Sequence, residues 1–140
     1  MKLNTWEHFS HPADMGIRGL GTTRQEAYVQ AALALTALTV DLETIEPRTC
    51  VTVTCAETDA ELLLVAWLNV VLFEMATRHM VFARFSVDLG SEGLNAELWG
   101  EALEPSRHHP GTEVKAATYA ALRVGQEQSG QWVAQCIVDL

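Results

Sequence analysis

Residues 58–79 decide the fold, and their sequence is TDAELLLVAWLNVVLFEMATRH. The first four residues form a capping-box pattern, which predicts that a helix begins here and runs to about His79. Most faces of this helix are apolar, and Asn69 interrupts its longest apolar run, 62–73. Because a helix that is hydrophobic all round is buried, we expect it to be the hydrophobic spine laid across a sheet. The apolar run is too short to span a bilayer.

Strand-like segments surround this helix. Segment 23–26 is another capping box, with Thr23 as the cap and Glu26 reaching back, and it predicts a second main helix. The overall order predicts an α+β fold in one domain over residues 1–140, with a mostly antiparallel sheet and two main helices packed on one face. Alternating apolar residues bounded by turn residues predict strands at 5–9, 17–21, 51–54, 82–89, 94–100 and 131–140. Segment 113–124 is also strand-forming, with an internal bend as an open alternative.

The composition is that of a compact, acidic protein. The chain has 140 residues, of which 49% are hydrophobic and 19% charged, and a formal net charge of −9. Evenly spread acids argue against direct nucleic-acid binding and favour a basic partner surface or a metal ion. Segment 1–6 lacks the apolar region of a signal peptide, and Cys50, Cys55 and Cys136 have no zinc-site spacing. We therefore expect a cytoplasmic protein with reduced thiols and no membrane segment.

Two acids near opposite ends of the sequence are candidates for one site. Asp139 precedes Leu140 in the closing apolar strand, and Asp14 lies in HPADMGI at 11–17. If the fold joins the two ends, Asp14, Asp139 and the terminal carboxylate of Leu140 would form an oxygen-rich pocket suited to a hard cation. Asp14 could equally be a turn residue that accepts backbone N–H bonds, and His11 could be structural or could orient such a site.

The densest group of polar side chains lies at 100–119. Arg107 and His108 stand in a loop, and Lys115 follows inside an otherwise apolar strand. An ammonium group cannot be buried unpaired, so Lys115 either faces solvent and protects a sheet edge or meets an anion such as phosphate. The sequence contains no phosphate-binding loop, dinucleotide fingerprint or nucleophile elbow, so no catalytic nucleophile is apparent.

These motifs together resemble the archease family. The segment HPADMGI is similar to the family's His-Thr-Ala-Asp signature, and the likeness is strongest around Glu101, Arg107 and Lys115. It covers nearly the whole chain in the family's order. The matching segments are 11–17, 26–27, 31–35, 63–69, 100–101, 107–108, 113–116, 118–119 and 139–140.

The resemblance implies a fold and a function. Archeases are built from a doubled strand-helix-strand-strand module and activate the RtcB-type RNA ligase, which joins RNA ends in tRNA splicing and RNA repair. Activation promotes guanylylation of the ligase, supports multiple turnover and broadens its nucleotide use. The resemblance therefore implies a protein activator rather than an enzyme, with the ligase as partner and RNA engaged only through the ligase.

The resemblance also implies site residues. The family's metal site maps onto Asp14, Asp139 and Leu140, with Ca²⁺ or Mg²⁺ as the expected ion, and its functional lysine maps onto Lys115. The side chains expected around this site are those of His11, Glu101, Arg107 and His108.

Two positions depart from the family's pattern. Pro12 stands in place of the usual threonine, which removes a hydroxyl beside the site and stiffens the turn. Ala120 stands where many members have histidine. The acids and Lys115 are unaffected by either departure.

Two other functions could use the same residues. A small metal-dependent phosphoester hydrolase would use Asp14 and Asp139, with His108 as acid or base. A general protein-binding or chaperone-like module would use the acids only for solubility. Turnover that is lost on chelation would favour the hydrolase, whereas a lack of saturable metal binding would favour the module.

Overall fold

The computed structural model describes residues 3–140. Met1 and Lys2, part of the segment in which we expect no signal peptide, lie outside the described residues. A short 3-10 turn at Leu42–Thr44 follows the first helix. The other elements in chain order are β1 Thr5–His11, β2 Asp14–Gly21, α1 Arg24–Ala37, β3 Thr49–Ala56, α2 Ala60–Arg78, β4 Met80–Gly90, β5 Gly93–Ala102, α3 Pro105–His108, β6 Ala116–Ala117, β7 Arg123–Gln126 and β8 Trp132–Asp139.

The strands form two antiparallel sheets. The order in the larger sheet is β1-β2-β8-β6, with β7 also paired to β8, and the order in the smaller sheet is β3-β5-β4. The predicted α+β class and antiparallel pairing are confirmed, although the strands divide between two sheets instead of forming one. Ile17 on β2 faces Cys136 on β8, so the first hairpin and the last strand lie side by side.

Helix α1 lies directly on β2 because that strand has glycine at the contact. A Cβ atom at Gly19 would lie 2.1 Å from the carbonyl oxygen of Ala27, and only glycine permits this approach. The helix begins after Thr23, whose hydroxyl accepts a hydrogen bond from the Glu26 N–H at 3.1 Å. This bond is one of the two hydrogen bonds that the predicted capping box comprises.

Helix α2 supplies much of the shared core, as predicted, but the expected burial on all sides is wrong, because Leu62 and Phe73 are exposed. Trp67, Leu68 and Val71 are 0% exposed. The indole N–H of Trp67 donates to the carbonyl oxygen of Tyr28 at 3.0 Å, which ties α2 to α1. The N-cap is Asp59, whose carboxylate accepts from two main-chain N–H groups of the first turn, so the cap lies one residue after the Thr58 that the capping-box pattern implies.

The bounds of α2 confirm the predicted helix, but its apolar character extends beyond the run 62–73. The helix has 19 residues and a mean hydropathy of 1.6, so by length and composition alone it could cross a membrane. The apolar run 62–73 underestimates the apolar length of α2, because Ala60, Met75 and Ala76 extend the apolar character to both ends of the helix. Within the fold, α2 packs against α1 and strands of both sheets, the arrangement of a core helix.

Segment 113–124, predicted to be strand-forming with an internal bend as an alternative, contains β6 and the start of β7. Only Ala116–Ala117 and Arg123–Gln126 pair with β8, and the chain turns between them, with Ala121 at φ 49°. Strand propensity does not specify a partner, and here the two short strands pair with different parts of β8. The predicted hairpin at 82–100 is confirmed as β4 and β5.

Strand β3 forms one edge of the smaller sheet, and its sequence is TCVTVTCA. Val51 and Val53 are buried, and Thr52 and Thr54, which alternate with them, are exposed, which confirms the half-buried strand predicted from alternation. The thiols of Cys50, Cys55 and Cys136 are free. Burial raises the pKa of the Cys136 thiol to about 12.

Candidate functional site

Asp14 and Asp139 lie at the same end of the larger sheet. Asp14 is the first residue of β2, and Asp139 is the last residue of β8. The pairing of these strands places Met15 opposite Val138, and one further step in the same register places Asp14 opposite Asp139. Because Met15 and Val138 pack into the core, both carboxylates lie on the sheet face turned away from the helices.

The electrostatics of this acid pair favour a cation. Asp14 is half-buried and Asp139 is exposed. Among residues 3–140, neither carboxylate takes part in an ion pair. Like charges directly opposite each other on paired strands destabilise the pair, so a bound cation would offset this repulsion.

Lys115 reaches the same end of the sheet through its main chain. Its N–H donates to the carbonyl oxygen of Asp139 at 2.8 Å, and the next residue, Ala116, pairs with Asp139. The Lys115 side chain is exposed, and in the described part of the chain it makes no ion pair. Exposure at a sheet edge agrees both with edge protection and with contact to an external anion.

His11 and Asp14 close the β1–β2 hairpin. They pair across a two-residue turn of Pro12 and Ala13, and Ala13 has φ 67°. Proline has a fixed negative φ of about −65°, which suits the first position of a turn whose second position, Ala13, has a positive φ. Asp14 therefore belongs to a strand, three residues earlier than the predicted start of β2. Ala120 is the other position that departs from the archease pattern. Its carbonyl oxygen accepts a hydrogen bond from the Ile137 N–H at 3.0 Å.

The positive φ of Ala13 gives a prediction about stability. Ala13→Gly is expected to raise the free energy of unfolding by about 0.5–1 kcal/mol, because glycine relieves the left-handed strain. Urea unfolding measures the change. Ala120→Gly is the control, since exposed Ala120 is not among the positive-φ residues. This substitution should lower the free energy of unfolding by a similar amount, because glycine makes the unfolded chain more flexible. A loss of stability in Ala13→Gly would contradict the strain.

Glu101 on β5 is the centre of a separate buried network. Its side chain is 4% exposed, and both oxygens accept bonds from the Arg107 guanidinium at 2.8 Å. One oxygen also accepts from the Glu46 N–H at 2.8 Å, and the other from Arg48 Nε at 3.1 Å. Arg107, followed by the Glu46 N–H, His108 and Arg48, holds the pKa of the Glu101 carboxyl well below its ordinary value despite burial.

His108 completes this network and is fully engaged. It is 2% exposed, and its Nδ1 accepts a bond from the Glu104 N–H at 2.9 Å. The proton therefore sits on Nε2, which donates to Glu101 at 2.9 Å. Because both ring nitrogens are used in a neutral ring, this arrangement offers no free base to the hydrolase alternative.

The network lies apart from the acid pair. Within residues 3–140, the side-chain hydrogen bonds of Glu101, Arg107 and His108 run to one another, to segment 44–48 and to Glu104. Their predicted place around a metal stays a prediction. Segment 44–48 gave no sequence signal for this role, because its contacts are largely made by backbone groups.

A hard, hydrated cation fits the acid pair better than a fully protein-bound ion. Between residues 3 and 140 no group of three or more His, Cys, Asp or Glu side chains could hold a metal. Asp14 and Asp139 supply two carboxylates, and a main-chain oxygen of Leu140 could add a third donor. Ca²⁺ takes about six to eight oxygen ligands and Mg²⁺ usually keeps several waters, so water must complete the shell.

Comparisons with known proteins agree with this arrangement of strands and helices. The solution structure of protein 1598 from Methanobacterium thermoautotrophicum superposes with a TM-score of 0.77 and 28% identity, covering 99% of this chain and 100% of that one. A crystal structure of an archease from Thermotoga maritima, described as a possible chaperone, has a TM-score of 0.57 over 96% of both chains. At 17% identity, the second likeness supports the fold alone.

The sequence comparisons extend over the full length. The protein archease of Thermococcus gammatolerans is 38% identical, covering 99% of this chain and 100% of its own. That of Methanopyrus kandleri is 37% identical, covering 96% and 99%. The archease protein family matches residues 6–140, from β1 to the end of the larger sheet. These matches confirm the resemblance found in the motifs, and the chain belongs to the archease family.

Proposed function

We propose that the chain activates an RtcB-type RNA ligase in the cytoplasm, promoting its guanylylation and multiple turnover and broadening its nucleotide use. It acts as a protein partner in tRNA splicing and RNA repair, and not as an enzyme. The convergence of Asp14, Asp139 and Lys115 at one end of the larger sheet carries the proposal. Membership of the archease family supports it over the whole chain.

The site residues have two roles in this proposal. Asp14, Asp139 and a Leu140 oxygen hold Ca²⁺ or Mg²⁺, which would supply a positive charge at the tip of the sheet. Lys115 contributes a mobile ammonium group that can contact a phosphate in the ligase's active site. The net charge of −9 disfavours direct RNA binding, so RNA is met only through the ligase.

Ligation under multiple-turnover conditions tests the proposal. We expect the chain to raise the turnovers of a guanylate-dependent ligase joining a 3′-phosphate end to a 5′-hydroxyl end. Lys115→Ala should lower the activated rate about tenfold or more, the effect of losing one charge-assisted hydrogen bond. Arg84→Ala, which removes an exposed cation from the smaller sheet, is the matched control.

The outcomes separate the activity from the residue assignment. Equal ligase turnover with and without the chain would refute activation itself. Full activation by Lys115→Ala would leave the activity standing and remove Lys115 from the site.

A further inference from the structure

Asn69 bonds the main chain of the edge strand that leads to Lys115. It is the only polar side chain in the apolar run 62–73. Its Oδ1 accepts the Ala117 N–H at 2.9 Å, and its Nδ2 donates to the Ala117 carbonyl oxygen at 3.3 Å. One side-chain amide thus makes the two bonds that a neighbouring strand would otherwise make.

Strand β6 depends on this contact because it is only two residues long. Ala117 is 6% exposed and lies opposite Val138, with its N–H and carbonyl directed away from β8. A buried N–H and a buried carbonyl that lose their partners are costly, so an apolar side chain at position 69 would disfavour this placement of β6. An asparagine in a buried helix is therefore explained by the strand that it faces.

The same contact bears on Lys115, two residues before Ala117. Thr118 holds β6 to β8 on the other side, through its N–H and hydroxyl, which donate to the Ile137 carbonyl at 3.0 and 2.7 Å. The Lys115 N–H to Asp139 bond is the last rung of this short ladder. A ladder with so few rungs has a weakly specified register, and Asn69 fixes it from the helix side.

We propose that Asn69 is a positioning residue, which clamps Ala117 and thereby sets Lys115 against Asp139. The consequence for activation rests on the proposed function, whereas the placement of Lys115 does not. The two parts can therefore be tested by separate measurements.

Amide hydrogen exchange measured by NMR tests the placement without any ligase. In Asn69→Ala, the Ala117 and Lys115 amides should exchange about tenfold faster or more relative to amides of the β4–β5 hairpin. Val71→Ala is the control, because Val71 is a fully buried residue of the same helix and its loss should leave that ratio unchanged. Where Asn69→Ala does not fold, Asn69→Asp keeps the volume and an acceptor for the Ala117 N–H, but it replaces the amide donor with a charged oxygen that repels the Ala117 carbonyl. Unchanged Lys115 exchange in a folded variant would overturn the proposal.

The ligase assay tests the consequence. Asn69→Ala should lower the maximal activated rate towards that of Lys115→Ala, and the double variant should be no worse than Lys115→Ala alone. Asn69→Gln retains the amide donor and the amide acceptor and should recover part of the rate, whereas Asn69→Asp, which has no donor, should not. If the rate losses of the two single variants multiply in the double variant, the proposal that Asn69 acts through Lys115 is wrong. If the wild-type chain gives no activation, the proposed function fails, and the exchange measurement alone decides the placement.

Discussion

Glu101→Ala is expected to lower the free energy of unfolding by about 3–5 kcal/mol, the usual cost of removing one partner from a buried ionic network. The substitution leaves the Arg107 guanidinium, the His108 Nε2–H and the Glu46 N–H without their shared acceptor. Urea unfolding measures the loss. The control is Glu97→Ala, which removes an exposed acid from the same strand and should change stability by less than about 0.5 kcal/mol.

The Glu101 carboxylate should also make the free energy of unfolding depend on pH. Its pKa in the folded chain lies below the ordinary value, so its contribution is present above that ordinary value and is lost as the pH falls towards the folded pKa. The difference in unfolding free energy between wild type and Glu101→Gln should shrink from about pH 5 to about pH 2. A difference that is constant over this range would mean that the ionised form is not favoured by folding.

Asp14→Asn is expected to abolish activation of the ligase without destabilising the fold. In metal-free buffer it should raise the free energy of unfolding by a few tenths of a kcal/mol, to about 1 kcal/mol, because it removes the repulsion from Asp139. Ca²⁺ should raise the melting temperature of the wild type, since a ligand that binds only the folded state stabilises it. The variant should show little or no such shift.

A matched variant makes this prediction specific to the acid pair. Asp88→Asn removes an exposed acid from the smaller sheet and should retain both activation and the Ca²⁺ response. Asp14→Asn that activates as well as the wild type would show that the site is wrongly assigned. Loss of activation together with an unchanged Ca²⁺ response would separate the role of Asp14 from metal binding.

The elements that depend on local pattern were predictable from the sequence. An apolar 19-residue helix and the β4–β5 hairpin follow from composition, alternation and turn residues. The proximity of Asp14 and Asp139 could be predicted only on the condition that the two ends of the chain meet, because no local sequence pattern indicates that β8 pairs with β2. That pairing links opposite ends of the chain, and it is decided by the shared core.

The rest of the site depends on contacts that have no periodic signal. Glu101 alternates with apolar residues on β5 as a solvent-facing acid would, and only the approach of Arg107 and segment 44–48 buries it. The segment containing Lys115 has strand-forming residues, yet its short pairing with β8 is completed by a side chain from α2. Asn69 was visible as an interruption of an apolar run, but its partner could not be deduced from the helix.

The uncharged edge strand β3 has a consequence for how this protein behaves at high concentration. Its outer edge has no paired strand among the described residues, and the sequence TCVTVTCA contains no charge or proline to block edge-to-edge association. The net charge of −9 keeps copies of the chain apart by mutual repulsion. Colloidal stability therefore depends on ionic strength and pH: concentrated salt or mild acid weakens the barrier that protects this edge, even while every chain remains folded.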